Sequence, residues 1–174
     1  YSTIRTGARA KDYWSCLQWI EDAGIIRRCY NLQMPELPLA GNAIDNVFKV
    51  YMADTGLFVS MLEDGTQADI LQGDLLGYKG AIFENLLADF LGKMQRPLYY
   101  YHKEGGLEID FVMRYKGECT LLECKATTGH AKSLRTILSN PDKYHIYQAI
   151  KVGSYNIGRS DGILTIPHYL AFCL

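Results

Sequence analysis

Two short clusters carry the chemistry-bearing side chains of this chain: Glu108-Ile109-Asp110 and Glu123-Cys124-Lys125. Between them lies Lys116-Gly117, with strand-like apolar runs on both sides. A Lys-Gly pair in that setting predicts a tight hairpin turn, with Gly taking the positive φ such turns need. Counting back from the turn, Tyr115 faces Glu118, Met113 faces Thr120, Phe111 faces Leu122 and Asp110 faces Glu123. One pair further out, Glu108 faces Lys125. The side-chain period of two then puts all three carboxylates and the ammonium on one face. Directly opposed carboxylates repel each other. A divalent cation between them removes that repulsion, because hard ions such as Mg²⁺ take oxygen ligands and need only one or two carboxylates. A lysine beside such an ion could hold a water and meet developing negative charge.

Short E-x-D or E-x-K fragments are common, and most form only a solvated, mutually paired rim. The register raises this pair above that background, and a slip of one residue would undo it. The hairpin is otherwise apolar at Phe111, Val112, Leu121 and Leu122, so both its faces are expected to be covered. That is the habit of α/β layers.

The remaining elements must position this patch. Tyr13, Trp14, Leu17 and Ile20 recur at helical spacing from about Lys11 to Ala23, and Gly24 ends the pattern. Ile25 to Tyr30 reads as a strand. Met34-Pro35-Glu36-Leu37-Pro38 is a breaker and the best domain boundary. Phe48 to Met52 predicts a short strand, and Asp54 caps the helix that follows. Glu63 to Gly77 predicts a loop with a short helix. From Tyr78 to Met94 a broad apolar stripe predicts a helix with Glu84 on its flank. Leu98 to His102 is β-prone, and its tyrosines suit packing better than base stacking. Ala131 to Leu138 predicts a helix bearing Lys132 and Arg135. Tyr144 to Val152 and Ile163 to Ile166 predict two more strands. His102, His130, His145 and His168 lack ligand spacing and are read as structural.

At Asp110 and Glu123-Cys124-Lys125 the chain resembles the PD-(D/E)XK nuclease superfamily. Its Pro-Asp dipeptide is replaced here by Ile109-Asp110. Phe48-Lys49-Val50-Tyr51-Met52-Ala53-Asp54-Thr55-Gly56-Leu57-Phe58, Gly80 to Leu87 and Ile166-Pro167-His168-Tyr169 extend the resemblance over nearly the whole chain. Together they are similar to a C-terminal domain of unknown function carried by bacterial and archaeal AAA-type ATPases. The resemblance implies an α/β fold: a restriction-endonuclease-like mixed sheet flanked by helices over residues 39–174, with a small winged-helix-like remnant and linker over residues 1–38. It implies Mg²⁺ or Mn²⁺ held by Asp110, Glu123 and the Cys124 carbonyl, Lys125 positioning water, and Glu84 assisting from the helix. Glu108 would orient Lys125. The implied reaction is phosphodiester hydrolysis, on DNA in the first place. The alternative is a nuclease fold without turnover that binds DNA or a protein and regulates the ATPase. ATP would bind only in a domain outside this chain.

The 174 residues suffice for one good core. A net charge of −1 argues against a basic coat for nucleic acid; Arg5, Arg9, Lys11, Arg27 and Arg28 could contact phosphates, but ordinary solvated charges on a packed remnant are the commoner case. Five cysteines without C-x-x-C pairs suggest neither a disulfide framework nor a zinc site. No long apolar run predicts a membrane span, and no leader is visible, so the expected location is the cytoplasm. The start at Tyr1 suggests a longer parent. No phosphate loop and no G-x-S-x-G elbow occurs.

Overall fold

The computed structural model describes residues 10–74 and 76–174. Helix α1, Ala10–Asp22, ends where Gly24 takes φ +72°, and the chain reverses into strand β1, Ile26–Leu32. Strand β2, Ala43–Met52, pairs antiparallel with β1 and is longer than its aromatic end suggests. Its register breaks between Ile44, opposite Asn31, and Phe48, opposite Tyr30. Asp45 and Asn46, poor strand formers, fall in that bulge, so pairing carries the strand past them. Asp54 caps α2, Thr55–Ser60, by accepting from Leu57 N–H at 2.9 Å. A second short helix, α3, Thr66–Leu71, follows.

Helix α4, Lys79–Lys93, is tied to the end of β2 by Asn85. The Asn85 amide accepts from Met52 N–H at 2.9 Å and donates to Met52 C=O at 3.2 Å. Strands β3, Leu98–Lys103, and β4, Leu107–Ile109, complete a first sheet in the order β2-β1-β3-β4. In it β1 is paired on both sides, antiparallel to β2 and parallel to β3, so the strand before the Met34–Pro38 breaker shares a sheet with strands after it.

The second sheet begins at β5, Phe111–Tyr115, and β6, Glu118–Cys124. Lys116 and Gly117 take φ 51° and 91°, the pair of left-handed residues that a two-residue hairpin matching the strand twist demands. The expected register holds from Tyr115↔Glu118 to Phe111↔Leu122. After α5, Lys132–Leu138, and the short α6, Pro141–Tyr144, come β7, Ala149–Gly153, β8, Gly158–Ser160, and β9, Ile163–Pro167. The strand expected from Tyr144 therefore starts at Ala149, because Pro141 opens a helical turn first. The order is β5-β6-β7-β9-β8, with β7 parallel to both neighbours. The molecule is thus mixed α/β with two mixed sheets.

Strand alternation gives the second sheet two buried faces. Phe111, Met113, Leu122, Ile150, Val152 and Ile166 pack with Leu87, Ala88 and Leu91 of α4. Val112, Leu121, Ala149 and Ile163 pack with Leu134 and Ile137 of α5. A sheet covered on both faces leaves polar side chains few places to emerge, chiefly at strand ends. No described helix is long and apolar enough to cross a membrane.

Candidate functional site

Asp110 is the single residue between β4 and β5. Ile109 pairs with Tyr101 in the first sheet, whereas Phe111 pairs with Leu122 in the second. The chain changes sheet at Asp110, so the hairpin ladder stops there. In its place the Asp110 side chain enters: Oδ2 accepts from Cys124 N–H at 2.8 Å. Lys125 N–H donates the other way, to Val152 C=O at 2.8 Å. Because strand amides alternate, the C=O of Cys124 leaves on the Asp110 side with its N–H.

Glu123 near the end of β6 and Lys125 just beyond it project to one side, and Lys125 Nζ lies 2.5 Å from Glu123 Oε1. The Glu123 side chain is 8 % exposed, and its Oε2 is buried with no hydrogen-bond partner. Burial opposes the Lys125 charge, but its bond to Glu123 and the neighbouring carboxylates outweigh that and hold its pKa above the ordinary value. Asp110 is pushed up to about 7, first by burial, then by the charges of Glu123 and Glu84. The Glu123 carboxylate is thus largely withdrawn from water, and burial disfavours a second negative charge on Asp110 beside it.

Glu84 reaches this place from α4. Its Oε1 accepts from the Tyr51 hydroxyl and lies 3.2 Å from Lys49 Nζ. Lys49 also meets Glu108 Oε1 at 2.7 Å. Here the sequence-based pairing fails. Glu108 does not face Lys125; it sits in β4 opposite His102 and binds Lys49. The cause is the change of sheet at Asp110, which redirects every residue before it. The Lys49 bond, working against burial, holds the Glu108 carboxyl below its usual range.

The model of a family described as Domain of unknown function (DUF4143) matches residues 79–169, just over half of the chain. The chain belongs to this family. The DUF4143 region holds Glu84, Glu108, Asp110, Glu123, Cys124 and Lys125. Residues 1–68 match a second model, Domain of unknown function (DUF8612). Lys49 and Tyr51 come from that part, so the polar cluster draws on both. No curated protein and no solved structure matches the chain.

Within the DUF4143 region the structure brings Glu123, Lys125 and Glu84 into electrostatic reach of Asp110. Among the described residues, no three His, Cys, Asp or Glu side chains are gathered so as to hold a metal ion as they stand. The candidate ligand set is the Asp110 and Glu123 carboxylates with the Cys124 carbonyl, which suits a hard cation that keeps waters of its own. The partnerless Glu123 oxygen fits the same need. The Cys124 thiol points to the other face, into the apolar layer under α4, and burial raises its pKa.

His168, read from sequence as structural, braces the site. Its Nε2–H donates to Lys125 C=O at 2.8 Å while its ring stacks on Phe83 with centroids 4.1 Å apart. Of the basic residues that could meet phosphates, the two whose side chains are described, Arg27 and Arg28, are packed into the protein. Arg28 is buried, its Nε donating to Glu21 at 2.6 Å, and its guanidinium lies over Trp14. The Arg27 side chain is packed against Gly92. Arg5, Arg9 and the Lys11 side chain lie outside the described residues. Lys49 and Tyr51 were missed as site residues. One signal could have found them: they share a face of a strand otherwise rich in apolar and aromatic residues.

Proposed function

We propose that this chain is a metal-dependent nuclease-like domain of the PD-(D/E)XK kind, hydrolysing phosphodiester bonds in nucleic acid. Its restriction-endonuclease-like character rests on the antiparallel β5–β6 hairpin, the parallel β7 beside it, and the placement of Asp110 and E-x-K at the strand ends. The observation that carries the reading is the buried, partnerless Glu123 Oε2 beside an Asp110 that burial and like charges disfavour as an anion. Both features leave carboxylate oxygen that a cation could meet.

Asp110, Glu123 and the Cys124 carbonyl would hold Mg²⁺ or Mn²⁺, which supplies Lewis acidity toward a phosphoryl oxygen and an acidic bound water. Lys125 positions the attacking water, with its backbone fixed by His168 and Val152. Glu84 contributes from α4. The exposed cations of α5, Lys132 and Arg135, lie on the side of the second sheet that Glu123 faces, and would serve phosphates beyond the reacting one. In a longer parent protein an AAA-type ATPase domain that binds ATP would precede this one in the cytoplasm.

Calorimetric titration of Mn²⁺ into the wild-type chain and Asp110→Asn tests the reading, alongside Mg²⁺-dependent cleavage of single- and double-stranded DNA and RNA. Binding lost in Asp110→Asn, with cleavage lost there and in Lys125→Ala, is the expected result. A wild-type chain that binds no Mn²⁺ and cuts none of these substrates overturns it. One observation favours the non-catalytic module instead: Lys125 and Lys49 already neutralise carboxylates, and no three-residue metal cluster stands ready among the described residues. That module predicts no Mn²⁺ binding and unimpaired partner binding in Asp110→Asn.

A further inference from the structure

Lys49 stands between carboxylates of two different elements. Its ammonium is 2.7 Å from Glu108 on β4 and 3.2 Å from Glu84 on α4. The closer partner is the more exposed one, 47 % against 29 % for Glu84. Tyr51, two residues on and therefore on the same face of β2, donates to the Glu84 oxygen that Lys49 also touches. Glu84 is thus held by two groups from residues 1–68, while its charge is felt at Asp110 in the DUF4143 region.

An ammonium on Glu84 and a cation near Asp110 compete for the same negative charge. Glu108 offers that ammonium a second acceptor. We propose that Lys49 is a positioning residue for Glu84, and that Glu108 draws the Lys49 ammonium away so that the Glu84 charge stays available to a divalent cation at Asp110. The inference rests on the metal-binding reading and adds a control element to it. Glu108 then acts on the cation through Lys49 rather than by its own charge.

The test is Mn²⁺ calorimetry on the whole chain as wild type, Lys49→Met, Glu108→Gln and the double variant, with thermal unfolding confirming that each is folded. Lys49→Met should tighten Mn²⁺ binding by about threefold to tenfold, the scale of one partly screened charge. Glu108→Gln should weaken it by about the same factor, because the ammonium then rests on Glu84 alone. In the Lys49→Met background, Glu108→Gln should change affinity by less than about twofold, since there is no ammonium left to divide. Lys49→Arg should restore an affinity close to wild type.

Additive effects in the cycle overturn the proposal, because two independent charges add and a shared ammonium does not. Weaker binding in Lys49→Met overturns it as well. If Lys49→Met is unfolded, Lys49→Gln takes its place in the same cycle. A wild-type chain that binds no Mn²⁺ removes the metal reading itself. A wild type that binds while the cycle is additive removes only the role of Lys49.

Discussion

Lys125 and Lys49 both neutralise carboxylates near the junction of the two sheets, and they do so by different means. Lys125, the residue just past the end of β6, meets Glu123 two residues before it. The pleat alone puts the two on one face, and the backbone of Lys125 is pinned by Val152 and His168. Lys49 meets Glu84 and Glu108 only because β2, α4 and β4 come together. One ammonium has a fixed partner set by local geometry, and the other has two partners set by packing. A pair of the first kind survives small shifts between elements. A trio of the second kind does not, and that sensitivity makes it the better place for adjustment.

The strongest way to break the comparison is to loosen α4 from β2. Asn85, 4 % exposed, answers both the N–H and the C=O of Met52 and also bonds Thr55 Oγ1 at 3.3 Å. Asn85→Leu keeps the bulk and removes every one of these bonds. It should cost about 2–4 kcal/mol, because half-buried backbone groups lose their partners. Urea unfolding measures the loss. The Lys49 trio should come apart while the Lys125–Glu123 pair persists. A cost below about 1 kcal/mol would mean that packing, not Asn85, sets the distance between α4 and β2.

Asp110 senses both regions, and its titration separates them. Its folded pKa, about 7, lies above the unfolded value, so the folded state holds the proton more tightly. The stability this contributes is fully present below the unfolded pKa and is lost as pH rises through about 7. Chelator-treated protein should therefore lose on the order of 2–3 kcal/mol between pH 5 and pH 8 through this one group. Asp110→Asn should flatten that slope. Glu123 weighs more on Asp110 than Glu84 does, so Glu123→Gln should lower the midpoint further than Glu84→Gln. The reverse order, read from stability against pH, would place Asp110 with the Lys49 trio.

The same contrast explains what could be read from the sequence. The hairpin, its register up to Phe111↔Leu122, α4 and the E-x-K face were legible because each depends on local periodicity and one turn. Glu108 was misplaced because a two-residue register argument assumes one continuous sheet, and nothing in Glu108-Ile109-Asp110 announces a change of sheet. The bulge at Asp45–Val47 was hidden for a similar reason: long-range pairing with β1 overrides local preference. Lys49 and Tyr51 became visible only when β2 met α4. Arg28 was read as a solvent cation, whereas an ion pair with Glu21 and the Trp14 ring bury it.

A milder perturbation acts on the Lys125 side alone. At Gly153 an added Cβ would fall within 2.7 Å of Thr127 C=O and closer still to the Tyr155 ring. Tyr155 holds the loop after Lys125 through Gly129, whose N–H donates to its hydroxyl at 2.8 Å. Gly153→Ala should cost about 1–2 kcal/mol through overpacking. Hydrogen exchange should speed up at Gly129 and leave the Met52 amide, held by Asn85, unchanged. Faster exchange at Met52 as well would show that the two regions are mechanically coupled.

The smallest expected effect is the most discriminating. The Lys49–Glu108 pair is part-exposed on both sides, at 28 % and 47 %, whereas Glu123 is almost wholly buried. Water and salt screen the first and hardly reach the second. Glu108→Gln should change stability by less than about 1 kcal/mol at low salt, and by nothing measurable in about 1 M NaCl, where the screening length falls to about 3 Å. Glu123→Gln should give a difference from wild type that salt leaves in place, since the charge it removes sits in protein rather than solvent. The readout is urea unfolding of the three proteins at both salt concentrations. A Glu108→Gln loss above about 2 kcal/mol, or one that persists in high salt, would make the trio as rigid as the Lys125 pair. An ammonium held that firmly could not be divided between Glu108 and Glu84, so the contrast between the two lysines would fail at its weaker end.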